Sequence, residues 1–221
     1  MVYVISDLHG CYEEFMEMLE LIEFKESDEL YIIGDIVDRG PEPIKIFQYI
    51  MDKQNIHMIL GNHEKMMYDS LYKTNFFDYS LWMRNGGKIT DVQFKKLKES
   101  EQNKILNYIG KLSYYKEIQV EGRTYILVHG GPTCRFKEDL DEGNVSEDVV
   151  WERFEVLTKE EVYPGKIIVV GHTPTMLYGE DKIINFADKR LIDCGCVFGE
   201  KLGCLRLNDE KEFYVKSKQP K

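Results

Sequence analysis

Five short apolar runs, at residues 2–6, 30–33, 56–60, 125–128 and 167–170, constrain the fold of this chain more than any other feature. Each is rich in Val, Ile or Tyr and ends at a polar or glycine cluster, the pattern of strands buried on both faces. Helical periods lie between the first three. Phe15, Met18, Leu19 and Ile22 fall at i, i+3, i+4 and i+7, and Ile44, Phe47 and Ile50 follow Pro41-Glu42-Pro43, a good helix start. The front half therefore reads β-α-β-α-β, which predicts an α/β (α+β) chain with helices packed on a parallel or mixed sheet.

Residues 63–118 read as mostly helical and polar, with a break at Asn85-Gly86-Gly87, and 135–148 as an acidic surface loop. Short strands are expected at 183–186, 190–193 and 201–207, and residues 216–221 read as a frayed end. With 221 residues and no internal repeat, the expectation is one domain over 1–221, carrying a helical insertion at about 63–118.

Each of the five runs is followed, at once or within two residues, by a residue type that ligates metals: Asp7 and His9, then Asp35, Asn62, His129 and His172. Loops at the carboxyl ends of strands in an open α/β sheet converge on one crevice. Taken singly, an Asp there is ordinarily a turn former or helix cap, and a strand-end His an ordinary polar residue. Six such residues at five strand ends are harder to dismiss. The chain has only five histidines, and His57, inside the third run with no motif around it, reads as structural. The donor set is oxygen and nitrogen without thiolate, which suits a pair of divalent cations, Mn²⁺ ahead of Fe or Zn. A carboxylate such as Asp35 can bridge two cations about 3.5–4 Å apart.

Composition narrows the classes. With 29 Lys and Arg against 39 Asp and Glu the net charge is −10, which argues against nucleic acid as a partner. No apolar run approaches the ~18 residues of a membrane span, and Asp7 arrives too early for a signal peptide, so no membrane and a cytoplasmic location are expected. Five cysteines without a C-x-x-C pair point to reduced thiols. Cys194 and Cys196 are expected to alternate on a strand, sharing a buried face. Without a heptad pattern, the expected state is a monomer.

Asp7-Leu8-His9-Gly10, Gly34-Asp35-Ile36-Val37-Asp38-Arg39-Gly40 and Gly61-Asn62-His63-Glu64 resemble the opening signatures of the phosphoprotein phosphatase family of metallophosphoesterases. His129-Gly130-Gly131 and Gly171-His172-Thr173 resemble its two later histidine signatures. The order matches from residue 7 to 173. Trp82-Met83-Arg84-Asn85-Gly86-Gly87, Val149-Val150-Trp151-Glu152-Arg153 and Ile192-Asp193-Cys194-Gly195 add a likeness to the compact bacterial and bacteriophage lambda-type serine/threonine protein phosphatases. Cysteine at 194 and 196 departs from that pattern.

The resemblance implies a calcineurin-like fold, a sandwich of two mixed β-sheets flanked by helices with a dinuclear metal site at the carboxyl ends of the strands. It implies one cation on Asp7, His9 and Asp35, and a second on Asp35, Asn62, His129 and His172. A water or hydroxide bridging such a pair has a strongly lowered pKa and can attack phosphorus directly. Arg39 and Arg153 would grip the phosphoryl oxygens, His63 would protonate the leaving alkoxide, and Asp38 would orient His63. The implied substrate is a phosphoprotein or phosphopeptide carrying phosphoserine or phosphothreonine, with phosphotyrosine as a further candidate. A symmetrical diadenosine tetraphosphate hydrolase or small-nucleotide phosphodiesterase is the alternative. Asp38, Glu64 and the Trp151-x-Arg153 stretch favour the phosphatase. A non-catalytic binding module would have lost a ligand, the acid or an arginine, and none is missing.

Overall fold

The computed structural model describes residues 1–72, 76–131, 145–153 and 163–220. The first three apolar runs form β1 (Val2–Ile5), β2 (Glu29–Ile33) and β3 (Ile56–Ile59), paired in parallel. Helices α1 (Tyr12–Leu21), α2 (Pro43–Ile50) and α3 (Asn62–Tyr72) follow these strands in turn. The next helices are α4 (Phe76–Arg84), α5 (Lys88–Phe94) and α6 (Glu99–Ile109). The remaining strands are β4 (Tyr115–Val120), β5 (Arg123–Val128), β6 (Lys166–Val170), β7 (Ile184–Phe186), β8 (Lys189–Leu191), β9 (Lys201–Arg206) and β10 (Lys211–Lys216).

They make two five-stranded mixed sheets, in the orders β10-β9-β1-β2-β3 and β4-β5-β6-β8-β7. The sheets pack face to face through Val4, Ile33 and Ile59 on one side and Tyr125, Leu127 and Val169 on the other, all buried. Alternate residues of the same strands face outward into further apolar layers. Ile5, Leu30 and Ile32 pack under α1, α2 and α3, while Ile126, Val128, Ile168 and Val170 pack with Val149 and Val150. Both faces of the central strands are covered, which is why they read as continuous apolar runs rather than alternating ones.

Several expectations need correction. Residues 115–118 are the start of β4, not the end of a helical region. β4 and β10 are edge strands carrying Lys and Glu, a composition that keeps edges from aggregating and dilutes the strand signal. Residues 135–144 of the expected acidic loop lie outside the described residues. Glu147–Val150 is a 3-10 turn with Val149 and Val150 fully buried, so that part is no surface loop. The C-terminal end is not frayed at 216–219: Lys216 closes β10, Ser217 N donates to Glu200 O, and Lys218 N donates to Glu14 at 2.8 Å.

Cys194 and Cys196 do not share a face. Gly195 between them adopts φ +73°, so Cys194 enters the layer between the sheets and Cys196 the layer under the helices. Cys11, Cys194, Cys196 and Cys204 are free and buried, and Cys134 lies outside the described residues. His57 is structural, as expected, paired with Glu29 and stacked on Tyr31. No helix among the described residues is long and apolar enough to cross a membrane.

Candidate active site

The ends of β1, β2, β3, β5 and β6 do converge. Asp35 is the hub: its Oδ2 lies 3.6 Å from His9 Nε2, 3.9 Å from His63 Nε2 and 3.3 Å from His129 Nε2. Potential ligand atoms fall into two triads that share this carboxylate, His9-Asp35-His63 and Asp35-His129-His172. Asn62 Oδ1 stands 2.9 Å from His129 Nε2, and Asp7 Oδ2 accepts the His172 backbone N–H at 3.0 Å and the Ser6 hydroxyl. The expected ligands are therefore assembled in one place.

The backbone bends hard to do this. Among the described residues, ten non-glycine residues have positive φ, and six are Asp7, His9, Asp35, Asp38, Arg39 and His172. Strained conformations of this kind gather at functional sites, where the surrounding structure over-determines them. Gly34 has φ +90°, and a Cβ there would stand 2.5 Å from His129 Nδ1, so only glycine lets β2 pass that ring.

Backbone carbonyls set the imidazoles. His9 Nδ1 donates to Val37 O at 2.7 Å and His129 Nδ1 to Ile33 O at 2.8 Å, leaving each Nε2 turned to the centre. Burial, with His63 and Arg39 close by, holds His9 well below the usual imidazole range, the neutral form a ligand needs. Burial and His129 take His172 down to about 3. Burial alone would lower His129 as well, but Asp35 and Asp7 push it up to about 10. Burial, together with Asp35, raises Asp7.

The cluster fits divalent cations on these grounds. Two buried carboxylates draw a proton onto His129, and the Arg39 guanidinium meets His9 Nε2 at 2.6 Å. The donors thus already attract positive charge from two sides, and all of them are oxygen or nitrogen.

Glu64 has a role that its place in the Gly-Asn-His-Glu motif did not reveal. Its Oε2 accepts Asp35 N at 2.8 Å and Gly61 N at 3.2 Å, and its Oε1 accepts Ile36 N at 2.8 Å and Val37 N at 3.2 Å. One buried carboxylate thus fixes the loop that carries Asp35. Burial and the Asp35 charge push it up to about 7.

The expected acid pair is present. His63 Nδ1 and Asp38 Oδ2 are 2.6 Å apart, both side chains buried. Asp38 also accepts from Trp82 Nε1 at 2.9 Å and Thr90 Oγ1 at 2.6 Å, partners from the helical segment that no spacing pointed to. The break at 85–87 lies beside the site, with Gly86 O accepting Arg39 N at 3.2 Å.

A cavity of about 400 Å³ opens over Asp35, Asn62 and His172. Arg39 and Arg153 both line it and both are exposed. Its wall is apolar and half exposed, built from Trp151, Met176, Leu177 and Phe198, with the Arg39 guanidinium 5.5 Å from the Phe198 ring centre.

The sequence pattern that defines the calcineurin-like phosphoesterases matches residues 1–199. A serine/threonine-protein phosphatase 1 of Salmonella typhimurium is 26% identical over 212 residues, covering 93% of this chain and 91% of that protein. An asymmetrical bis(5'-nucleosyl)-tetraphosphatase of Oceanobacillus iheyensis is 27% identical, covering 98% and 92%. Among solved structures, a cold-active protein-tyrosine phosphatase of a psychrophilic Shewanella superposes with a TM-score of 0.61 at 18% identity, covering 97% of this chain and 80% of that one.

Proposed function

The chain belongs to the calcineurin-like phosphoesterases, and on that premise we propose that it hydrolyses phosphoserine and phosphothreonine monoesters in proteins. The Asp38–His63 pair carries this reading. A serine or threonine alkoxide is a poor leaving group and needs a proton as the P–O bond breaks, whereas a phosphate leaving from a nucleotide anhydride does not. An imidazole aimed at the centre and backed by a buried carboxylate serves the first reaction.

Asp7, His9 and Asp35 would hold one divalent cation, and Asp35, Asn62, His129 and His172 a second, with Mn²⁺ suited to that thiol-free set. Bound there, such cations acidify an attacking water and neutralise charge on the phosphoryl group. The side chains do the rest. Arg39, held at the cavity by Phe198, and Arg153, which lines the same cavity, bind phosphoryl oxygens with planar, charge-assisted donors. His63 passes its proton from Nε2 to the departing oxygen, and Asp38 keeps the ring oriented and stabilises its cationic form.

A second reading is hydrolysis of dinucleoside tetraphosphates. The half-exposed wall of Trp151 and Phe198 favours it, since a nucleobase could stack there. Rates measured side by side on a phosphoserine peptide, a phosphotyrosine peptide, diadenosine tetraphosphate and a cyclic nucleotide test the choice. The phosphoserine peptide is expected to lead; a diadenosine tetraphosphate rate far above both peptide rates reverses the assignment.

A further inference from the structure

A third group of ligand-type side chains lies behind the β1–α1 loop, where phosphate-ester chemistry makes no use of it. Cys11 Sγ, Cys196 Sγ and a Glu14 carboxylate oxygen all lie within 4.8 Å of one another. All three residues are buried, at 0%, 2% and 1% exposure. They come from three places: the residue before α1, the first turn of α1, and the 3-10 turn Cys196–Phe198.

The carboxylate distinguishes this cluster from ordinary thiol packing. A buried Glu is costly unless its charge is compensated. Two neutral amides reach Glu14 Oε1, from Lys218 N at 2.8 Å and Gln219 Nε2 at 3.0 Å. The neighbouring thiol and burial push the Cys196 thiol up, so it is no nucleophile at neutral pH.

We propose that Cys11, Cys196 and Glu14 form a metal site, separate from the catalytic centre, that takes a thiophilic divalent cation, Zn²⁺. Tetrahedral Zn²⁺ with S and O ligands spaces its donors about 3.3–3.8 Å apart, and the three atoms here already lie within 4.8 Å of one another. Loading releases the two thiol protons to solvent, leaving two thiolates and the Glu14 carboxylate on the cation. A water completes four-coordination. The site would pin together three segments: the loop bearing His9, whose carbonyl faces Cys11 Sγ at 3.9 Å, the turn bearing Phe198, and the C-terminal end held on Glu14.

Co²⁺ titration of metal-stripped protein tests this, because only thiolate ligation gives a sulfur-to-cobalt charge-transfer band in the near ultraviolet. The catalytic donors, all nitrogen and oxygen, cannot produce it. The expected result is that band, with three bound equivalents per chain, bleached by added Zn²⁺. Cys11→Ser and Cys196→Ser should lose the band and one equivalent, while Cys134→Ser and Cys204→Ser keep both. No band in the wild-type protein at saturating Co²⁺, which needs no variant to fold, overturns the proposal. So does a band that survives in Cys196→Ser.

Discussion

Asp38 Oδ2 lies 2.6 Å from His63 Nδ1, and the same carboxylate is fixed by Trp82 and Thr90. With its lone pairs occupied from three directions, Asp38 has no other orientation to adopt. Asp38→Asn removes the charge that favours imidazolium, so kcat on a phosphoserine peptide should drop by about 10²-fold, the scale of a lost acid–base contribution. Steady-state kinetics checks this, and an unchanged kcat excludes the pair from the reaction.

His63→Asn should separate substrates by leaving group. Turnover of a phosphoserine peptide should fall far more than turnover of an activated aryl phosphate, whose phenolate departs without a proton. Equal losses on both substrates would count against a general-acid role.

Trp82→Phe keeps an aromatic ring in the core and deletes one donor to Asp38. Stability should fall by about 1.5–3 kcal/mol, the cost of one hydrogen bond to a buried charged group. The kinetic effect should appear in kcat rather than KM, because Trp82 acts through Asp38. A change confined to KM would mean that Trp82 shapes substrate binding instead.

Chelation should abolish activity on any phosphate ester, and Mn²⁺ should restore it. Full activity in protein shown by elemental analysis to be metal-free would refute the two-cation assignment of Asp7, His9, Asp35, Asn62, His129 and His172.

Metal-free protein should lose stability as pH rises from about 6.5 toward 10. His129 is pushed up to about 10 in the folded chain, against 6.5 for an ordinary imidazole. Between those values the folded state holds a proton that the unfolded state releases, so stability present below 6.5 is lost through 10. Glu64, raised from 4.5 to about 7, loses its own contribution lower, between about 4.5 and 7, so only the tail of that loss reaches this range. His9 and His172, lowered in the fold, are neutral in both states above 6.5 and do not oppose it. Mn²⁺, by displacing the His129 proton, should flatten the curve of melting temperature against pH. A melting temperature that rises over this range in metal-free protein would contradict the assignment.

The sequence by itself determined the parallel strands, the two helices between them and the six ligand-type residues at the strand ends. These follow from local rules: a strand covered on both faces must be apolar throughout, and a loop leaving it must turn polar at once. The Asp38–His63 partnership was legible through the family resemblance. What holds those residues in place was decided only by the tertiary structure. Glu64 binds the Asp35 loop from 29 residues away, and Trp82 reaches Asp38 across 44. Neither contact leaves a trace in local pattern, because a hydrogen-bond partner is set by proximity after folding and not by spacing along the chain. The edge strands β4 and β10 escaped notice because their charged residues face solvent, and Cys194 and Cys196 parted company because one left-handed glycine ended the alternation between them.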